Sequence, residues 1–320
     1  MKKSISGTPD SFFPWQDSQW GALSSQIDLG KLPHAINLVG PSNVGKYQFA
    51  LLLARSMLCM SPQNQFACGH CKSCVLVSAN NHPDLIKIQP DSNGKPINVE
   101  SIRGLGSFFS KTSQQGGWKI VIIRPTESMN TNAANALLKN LEEPKERTLI
   151  LLISHDLSRI LATIKSRCQQ VSFPLPDSCE VKSWLLQKFP DREDIDELIK
   201  HAGGRPLLAV SLTDNDLVKS RCEFEKLLDE LAVNHASAIS AAEVCKIHDP
   251  LIAIDWLYFK LVSEIKSKDN IKSVVLSFRY MDKLLQSKKL LQSSANPNIQ
   301  LIWEELLINW QQLFTNRKPS

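Results

Sequence analysis

One seven-residue stretch limits the folds open to this chain: Gly40-Pro41-Ser42-Asn43-Val44-Gly45-Lys46. Its G-x-x-x-x-G-K spacing lets backbone N–H groups close around phosphate oxygens while a lysine reaches the terminal phosphates. Such a cradle needs a strand before it and a helix after it. The flanks comply, because Ile36-Asn37-Leu38-Val39 reads as a short buried strand and Phe49 to Leu58 as an apolar helix. The bland alternative is a glycine turn in some other α/β unit. After Lys46 the motif calls for Ser or Thr, whose hydroxyl holds Mg²⁺; here it is Tyr47. Gly40, Gly45 and Lys46 leave binding of ATP or ADP open in a degenerate site, whereas Mg²⁺ is not expected.

The partner half of such a site is a strand that ends in carboxylates, which order the metal and polarise water. Lys119-Ile120-Val121-Ile122-Ile123 has the β-prone apolar run of a buried strand, but it continues into Arg124-Pro125. Glu127 lies past the strand end and reads as a surface carboxylate at a helix start. Two separate losses in one site predict that hydrolysis is gone.

Cysteines supply a second constraint. Cys59, Cys68, Cys71 and Cys74 cluster, and the small residues of Cys68-Gly69-His70-Cys71-Lys72-Ser73-Cys74 allow the tight turns that wrap one ion. Four thiolates suit a closed tetrahedral Zn²⁺ site with a structural rather than catalytic role. An iron–sulfur cluster, a disulfide pair or buried free thiols are the alternatives. His70 reads as a solvated turn residue, and the scattered Cys168, Cys179, Cys222 and Cys245 as ordinary thiols.

The remainder of the first 175 residues alternates strand and helix: a strand over Asp84 to Ile88, a helix over Asn98 to Phe109, a helix over Thr131 to Glu142 capped by Asn130 or Thr131, and a buried strand over Thr148 to Ser154. Alternation of this kind predicts a mainly parallel sheet covered by helices. From Pro176 onward the spacing is helical, as in 184–186, 195–202, 207–212, 224–231 and 254–265. Pro174 and Pro176 mark a hinge, and a second boundary falls near Thr213-Asp214-Asn215. The predicted organisation is an α/β domain over 1–175 carrying the cysteine module over 59–74, a small helical domain over 176–213, and an all-α domain over 214–320.

With 320 residues the chain has room for two or three such cores, and a net charge of +5 permits an acidic or nucleic-acid partner without demanding one. Lys2 and Lys3 are followed by Gly7-Thr8-Pro9-Asp10 rather than an apolar stretch, and no run of about 18 apolar residues occurs, so a cytoplasmic protein with no membrane partner is expected.

Several segments together resemble the bacterial clamp-loader AAA+ ATPase family: Leu32-Pro33-His34-Ala35, the four-cysteine insertion, His82-Pro83-Asp84-Leu85, the run from Asn132 to Pro144, and Ser166-Arg167-Cys168. The damaged nucleotide site is closer to the non-hydrolysing branch of that family than to its active gamma/tau relatives. The resemblance implies an AAA+ domain, a helical lid and a C-terminal collar domain within a five-subunit assembly. It implies gamma/tau ATPase subunits and a delta subunit as partners, with the assembly opening a sliding clamp and placing it on primer–template DNA. It also implies that Arg167 is an arginine finger projecting into a neighbour's ATP site, with Ser166 and Cys168 packing and capping around it. A local ion pair or a DNA phosphate is the bland reading of Arg167. Arg205, in Gly203-Gly204-Arg205-Pro206, lies near where active relatives carry a lid arginine that senses the γ-phosphate; a surface arginine at a helix start is the alternative.

An active ATPase motor is the competing function, opposed by the missing carboxylates. A zinc-dependent nucleic-acid binder is a third, but only Lys72 among basic residues lies close to the cysteines. In the C-terminal third, Trp256, Tyr258, Phe259, Leu261, Trp303, Leu306, Leu307, Trp310 and Leu313 recur at helical spacing and read mostly as core, while Lys283, Lys288 and Lys289 read as a solvated face.

Overall fold

The computed structural model describes residues 11–91, 95–115, 117–192, 194–213, 215–233, 235, 237–246, 250–267, 274–291 and 297–314. The segment from Lys2 to Asp10 and Asp214 of the second boundary lie outside them. Two compact units emerge, one running to Ile195 and including Gly204–Leu207, the other formed by Asp196–Gly203 and Leu208–Ser320.

In the first unit, helix α1 (Asp17–Asp28) precedes strand β1 (Ala35–Val39), and α2 (Lys46–Leu58) follows the phosphate-type loop. Then come α3 (Lys72–Ser78), β2 (Leu85–Ile88), α4 (Val99–Ser110), β3 (Lys119–Ile123), α5 (Thr131–Glu142), β4 (Thr148–Ser154), α6 (Ala162–Lys165), β5 (Gln169–Ser172) and α7 (Ser178–Lys188). The strands form one sheet in the order β2-β3-β4-β1-β5, and every pairing is parallel. That is the parallel α/β sheet the alternation predicts. Both faces are buried, since Ile120 and Ile122 pack with α1 and α2 while Val121 and Ile123 pack with α4 and α5. Asn130 caps α5 by accepting the Ala133 N–H at 2.8 Å. Pro174 and Pro176 lie in the connection between β5 and α7.

The second unit is helical. It takes in α8 (Ile195–His201) from Asp196, most of α9 (Pro206–Ser211), and α10 (Asn215–Ala232), α11 (Ala238–Cys245), α12 (Pro250–Ser267), α13 (Val274–Leu291) and α14 (Ile299–Phe314). Trp256, Leu261, Trp303, Leu306, Leu307, Trp310 and Leu313 are buried in one core, with Tyr258 packed against it. Two of the polar ring atoms that go inside find carbonyls, Trp310 Nε1 donating to Leu228 O and Tyr280 OH to Leu306 O, each at 3.0 Å, whereas Trp303 Nε1 is buried with no hydrogen-bond partner among the described residues. The solvated lysine face holds for the exposed Lys289 but needs correcting for Lys283 and Lys288. Lys283 pairs with Glu305 at 2.7 Å and Lys288 with Asp255, because α13 lies between acidic positions of α14 and α12. No helix among the described residues is long and apolar enough to cross a membrane.

Candidate functional site

The loop between β1 and α2 is shaped by its glycines. Gly40 has φ +150°, and a Cβ there would lie 1.9 Å from the Phe173 carbonyl; Gly45 has φ +93° and its missing Cβ makes room for the Phe13 ring. Several of the loop's carbonyls are satisfied by the chain itself. Lys46 Nζ, almost wholly buried, donates to Gly40 O at 2.6 Å and also to Pro41 O. Val44 O accepts Trp15 Nε1 at 3.0 Å and Gln16 Nε2 at 3.1 Å, and Asn43 O accepts the Leu207 N–H at 3.0 Å. Arg205 begins no isolated surface turn: its Nη1 donates to Ser42 Oγ at 3.4 Å. Burial lowers the Lys46 ammonium to about 8 against the opposing pull of Glu127.

Beside the loop, the two positions that should hold magnesium meet each other. The Arg124 guanidinium carbon lies 3.3 Å from the centre of the Tyr47 ring, and Gln89 Oε1 accepts Arg124 Nη2 at 2.8 Å. Glu127 is not the surface carboxylate expected. It sits half-buried in a 3-10 turn (Thr126–Ser128), accepts the His155 N–H at 2.9 Å, and has its other oxygen buried with no partner among the described residues. Burial raises its pKa, opposed by the His155 N–H, Arg159 and Lys46. Burial and then Lys46 lower His155 to about 4, which keeps the imidazole neutral. Beside Tyr47 the site thus presents a cation where a metal needs carboxylates.

The cysteines converge as expected. The sulfurs of Cys59, Cys68, Cys71 and Cys74 all lie within 4.8 Å of one another, with Cys59 to Cys71 at 3.9 Å and Cys68 to Cys74 at 4.0 Å. Tetrahedral thiolates about 2.3 Å from zinc are about 3.8 Å apart, so the donor set fits. Backbone N–H groups point at the sulfurs, from Cys68 to Cys59 at 3.2 Å and from Cys71 to Cys68 at 3.4 Å, and stabilise thiolate charge. His70 bonds the Cys68 carbonyl through Nδ1 at 2.9 Å and lies exposed. Behind the cluster, His82 Nδ1 accepts the Asp84 N–H at 3.1 Å, which leaves Nε2 to donate to Ser73 Oγ at 2.8 Å and the Ser73 hydroxyl to donate to Leu58 O at 2.6 Å. Cys168 and Cys245 are buried, each thiol pushed up to about 12 by burial; Cys179 and Cys222 are exposed.

Arg167 follows α6 on the surface of the same unit. Its Nη1 donates to Thr163 O at 3.0 Å and to Ser166 Oγ at 3.3 Å, while Nη2 pairs with Glu142 Oε1 at 2.8 Å. Ser166 Oγ in turn donates to Thr163 O at 3.1 Å, and Cys168 is buried against α5 and α6.

Comparison with known proteins decides the family. Residues 15–177 match the family model described as DNA polymerase III, delta subunit. A DNA polymerase III subunit delta' from Pseudomonas aeruginosa is 35% identical, the alignment spanning 94% of this chain and 98% of that protein. The chain belongs to the DNA polymerase III delta-prime family. The delta' of Escherichia coli is 28% identical over 66% of this chain and 63% of its own length, and the tau subunit of that organism is 31% identical over 60% of this chain and 30% of its own. Among solved structures, a DNA polymerase III gamma subunit-related protein from Thermotoga maritima superposes with a TM-score of 0.53 at 19% identity, covering 92% of this chain and 99% of that one, and shares the AAA+ fold.

Two family-type segments have structural jobs within this delta-prime member. His34 Nε2 lies 3.0 Å from the Leu141 carbonyl and ties the segment before β1 to the end of α5; His82 ties the cysteine module to β2. Sequence reading did not find β5, whose Gln169-Gln170-Val171-Ser172 lacks an apolar run, nor the role of Asn37, visible only as a polar residue inside an apolar strand.

Proposed function

We propose that this chain is a non-hydrolysing clamp-loader subunit of a replicative DNA polymerase III, a scaffold that lends Arg167 to the ATP site of a neighbouring gamma/tau subunit. The observation that carries the reading is the Arg124–Tyr47 pair, which fills the magnesium position with a cation and an aromatic ring. A site without its metal cannot neutralise the charge that develops during phosphoryl transfer. Lys46 bonded to its own loop supports the same reading. Arg167 lies on the surface with its side chain partly exposed, and its only charged partner among the described residues is the exposed Glu142, a weak pair that a neighbour's phosphates could displace.

In this reading the first 175 residues are the AAA+ domain, 176–213 the lid and 214–320 the collar, with the delta subunit, the sliding clamp and primer–template DNA met through the assembly in the cytoplasm. Cys59, Cys68, Cys71 and Cys74 hold one structural zinc, which when bound cross-links the ends of the module.

The test is ATP hydrolysis by the reconstituted clamp loader with clamp and primed DNA, comparing the chain with its Arg167→Ala form after both are shown to assemble. Fingers contribute about 10³ or more at the site they serve, diluted here by the other ATP sites. A marked loss with assembly intact is the expected result; unchanged turnover reduces Arg167 to its Glu142 ion pair.

A further inference from the structure

We propose that Gln170 is a positioning residue for Arg167, anchored to the centre of the sheet through Asn37. The inference rests on the trans role of Arg167 given above.

Asn37 is completely buried in the middle of β1, an apolar parallel strand, where an unpaired amide is costly. It is satisfied by a chain that crosses three strands. The Ser154 hydroxyl, at the end of β4, donates to Asn37 Oδ1 at 2.7 Å, and Asn37 Nδ2 donates to Gln170 Oε1 at 2.9 Å. Gln170 Nε2 then donates to two backbone carbonyls, Lys165 O at 3.1 Å and Cys168 O at 3.0 Å. These carbonyls bracket Ser166 and Arg167.

The direction of the chain is fixed. Carbonyls only accept, so the Gln170 amide nitrogen must face them and its oxygen must face Asn37. Asn37 must then donate with nitrogen and accept with oxygen, which requires the hydroxyl at Ser154. Neither amide can flip without leaving a buried group unpaired. Register supports the arrangement, because Asn37 and Gln170 are direct neighbours across β1 and β5. The two ends of the finger turn are therefore tied to the buried centre of β1 by one side chain, while Arg167 itself remains outside. Gln170 is itself exposed, on the edge strand, so its replacement removes no buried apolar packing but does take the acceptor from the buried Asn37 amide nitrogen, a loss that Asn37→Leu alone reproduces while leaving Gln170 and its two carbonyl bonds in place.

The experiment compares Gln170→Met, which keeps length and removes both donors and acceptor, with Arg167→Ala and with Gln169→Met as a strand control. Hydrogen exchange of residues 162–168 in the full chain is read first, then kcat and KM for ATP in the assembled clamp loader with clamp and DNA. Gln170→Met is expected to speed exchange across the finger turn and to lower kcat at least about threefold with KM for ATP unchanged, since misplacement of about an ångström is costly in rate. Gln169→Met should change neither. Unchanged exchange in Gln170→Met would overturn the positioning itself. A loss of turnover by Arg167→Ala without one by Gln170→Met would overturn its catalytic consequence, and no loss by Arg167→Ala would sink the trans reading and this inference with it. A kcat loss accompanied by failure to assemble in Gln170→Met alone would make the residue structural and equally overturn the proposal.

Discussion

The guanidinium carbon of Arg124 sits 3.3 Å from the centre of the Tyr47 ring. In sequence these are two unconnected departures, a lost hydroxyl and a lost carboxylate. In space they are one interaction, with an organic cation over a π face where a metal would bridge oxygen ligands. Restoring one residue therefore restores nothing. Tyr47→Thr alone should leave the affinity for a fluorescent ATP analogue insensitive to Mg²⁺, because Arg124 still repels the ion; Mg²⁺ dependence should need Arg124→Asp as well. Losing the stacked pair should cost about 1 kcal/mol, a fall in melting temperature of about 3 °C for a unit of this size.

Glu142 competes with phosphate for Arg167. The pair is 2.8 Å long, but both side chains are at least a third exposed, so it is worth at most about 1 kcal/mol. Glu142→Gln should raise ATP turnover of the assembled complex by no more than about fivefold at low salt, and the gain should vanish near 1 M salt as screening removes the wild-type pair. Turnover measured across a salt series checks both statements.

Removing one thiol should empty the cysteine module. Cys71→Ser is expected to reduce bound metal, by elemental analysis, from about one ion per chain to a small fraction, and to open residues 59–81 to limited proteolysis. Cys179→Ser, at an exposed position far in sequence from the cluster, should retain the ion.

Asp84 should set part of the acid limit of stability. Burial alone would raise its pKa, but the N–H groups of Gln114 and Gln115, the Ser113 hydroxyl and Lys119 bring it below the usual value. A carboxyl depressed in the folded state stabilises above its unfolded pKa, about 4, and that contribution is lost as pH falls through the folded value. Asp84→Asn should thus cost about 3 kcal/mol at neutral pH, with the gap from wild type shrinking below pH 4, as urea unfolding at several pH values would measure.

Sequence carried much of this fold because a fully buried parallel sheet writes itself as apolar runs. Lys119–Ile123 and Thr148–Ser154 are buried end to end and their limits match the expectation, as do those of the capped helix Thr131–Glu142. Gln169–Ser172 escaped notice because an edge strand with half its surface in water has no such run. The cysteine cluster was legible from spacing, since turns bring near neighbours together. What spacing cannot give is contact between distant side chains: Arg124 over Tyr47, Glu127 turned toward the loop, Asn37 reaching Gln170. Each depends on how strands lie side by side.

Lys46 has a quieter consequence. Its ammonium is bonded to the carbonyls of Gly40 and Pro41, so the lysine that would meet a phosphate is held by the backbone of its own loop. Two bonds from one side chain thus close the turn that follows β1. β1, which leads into that loop, carries Asn37, and through Asn37 and the Gln170 amide the sheet reaches the two carbonyls that bracket Arg167.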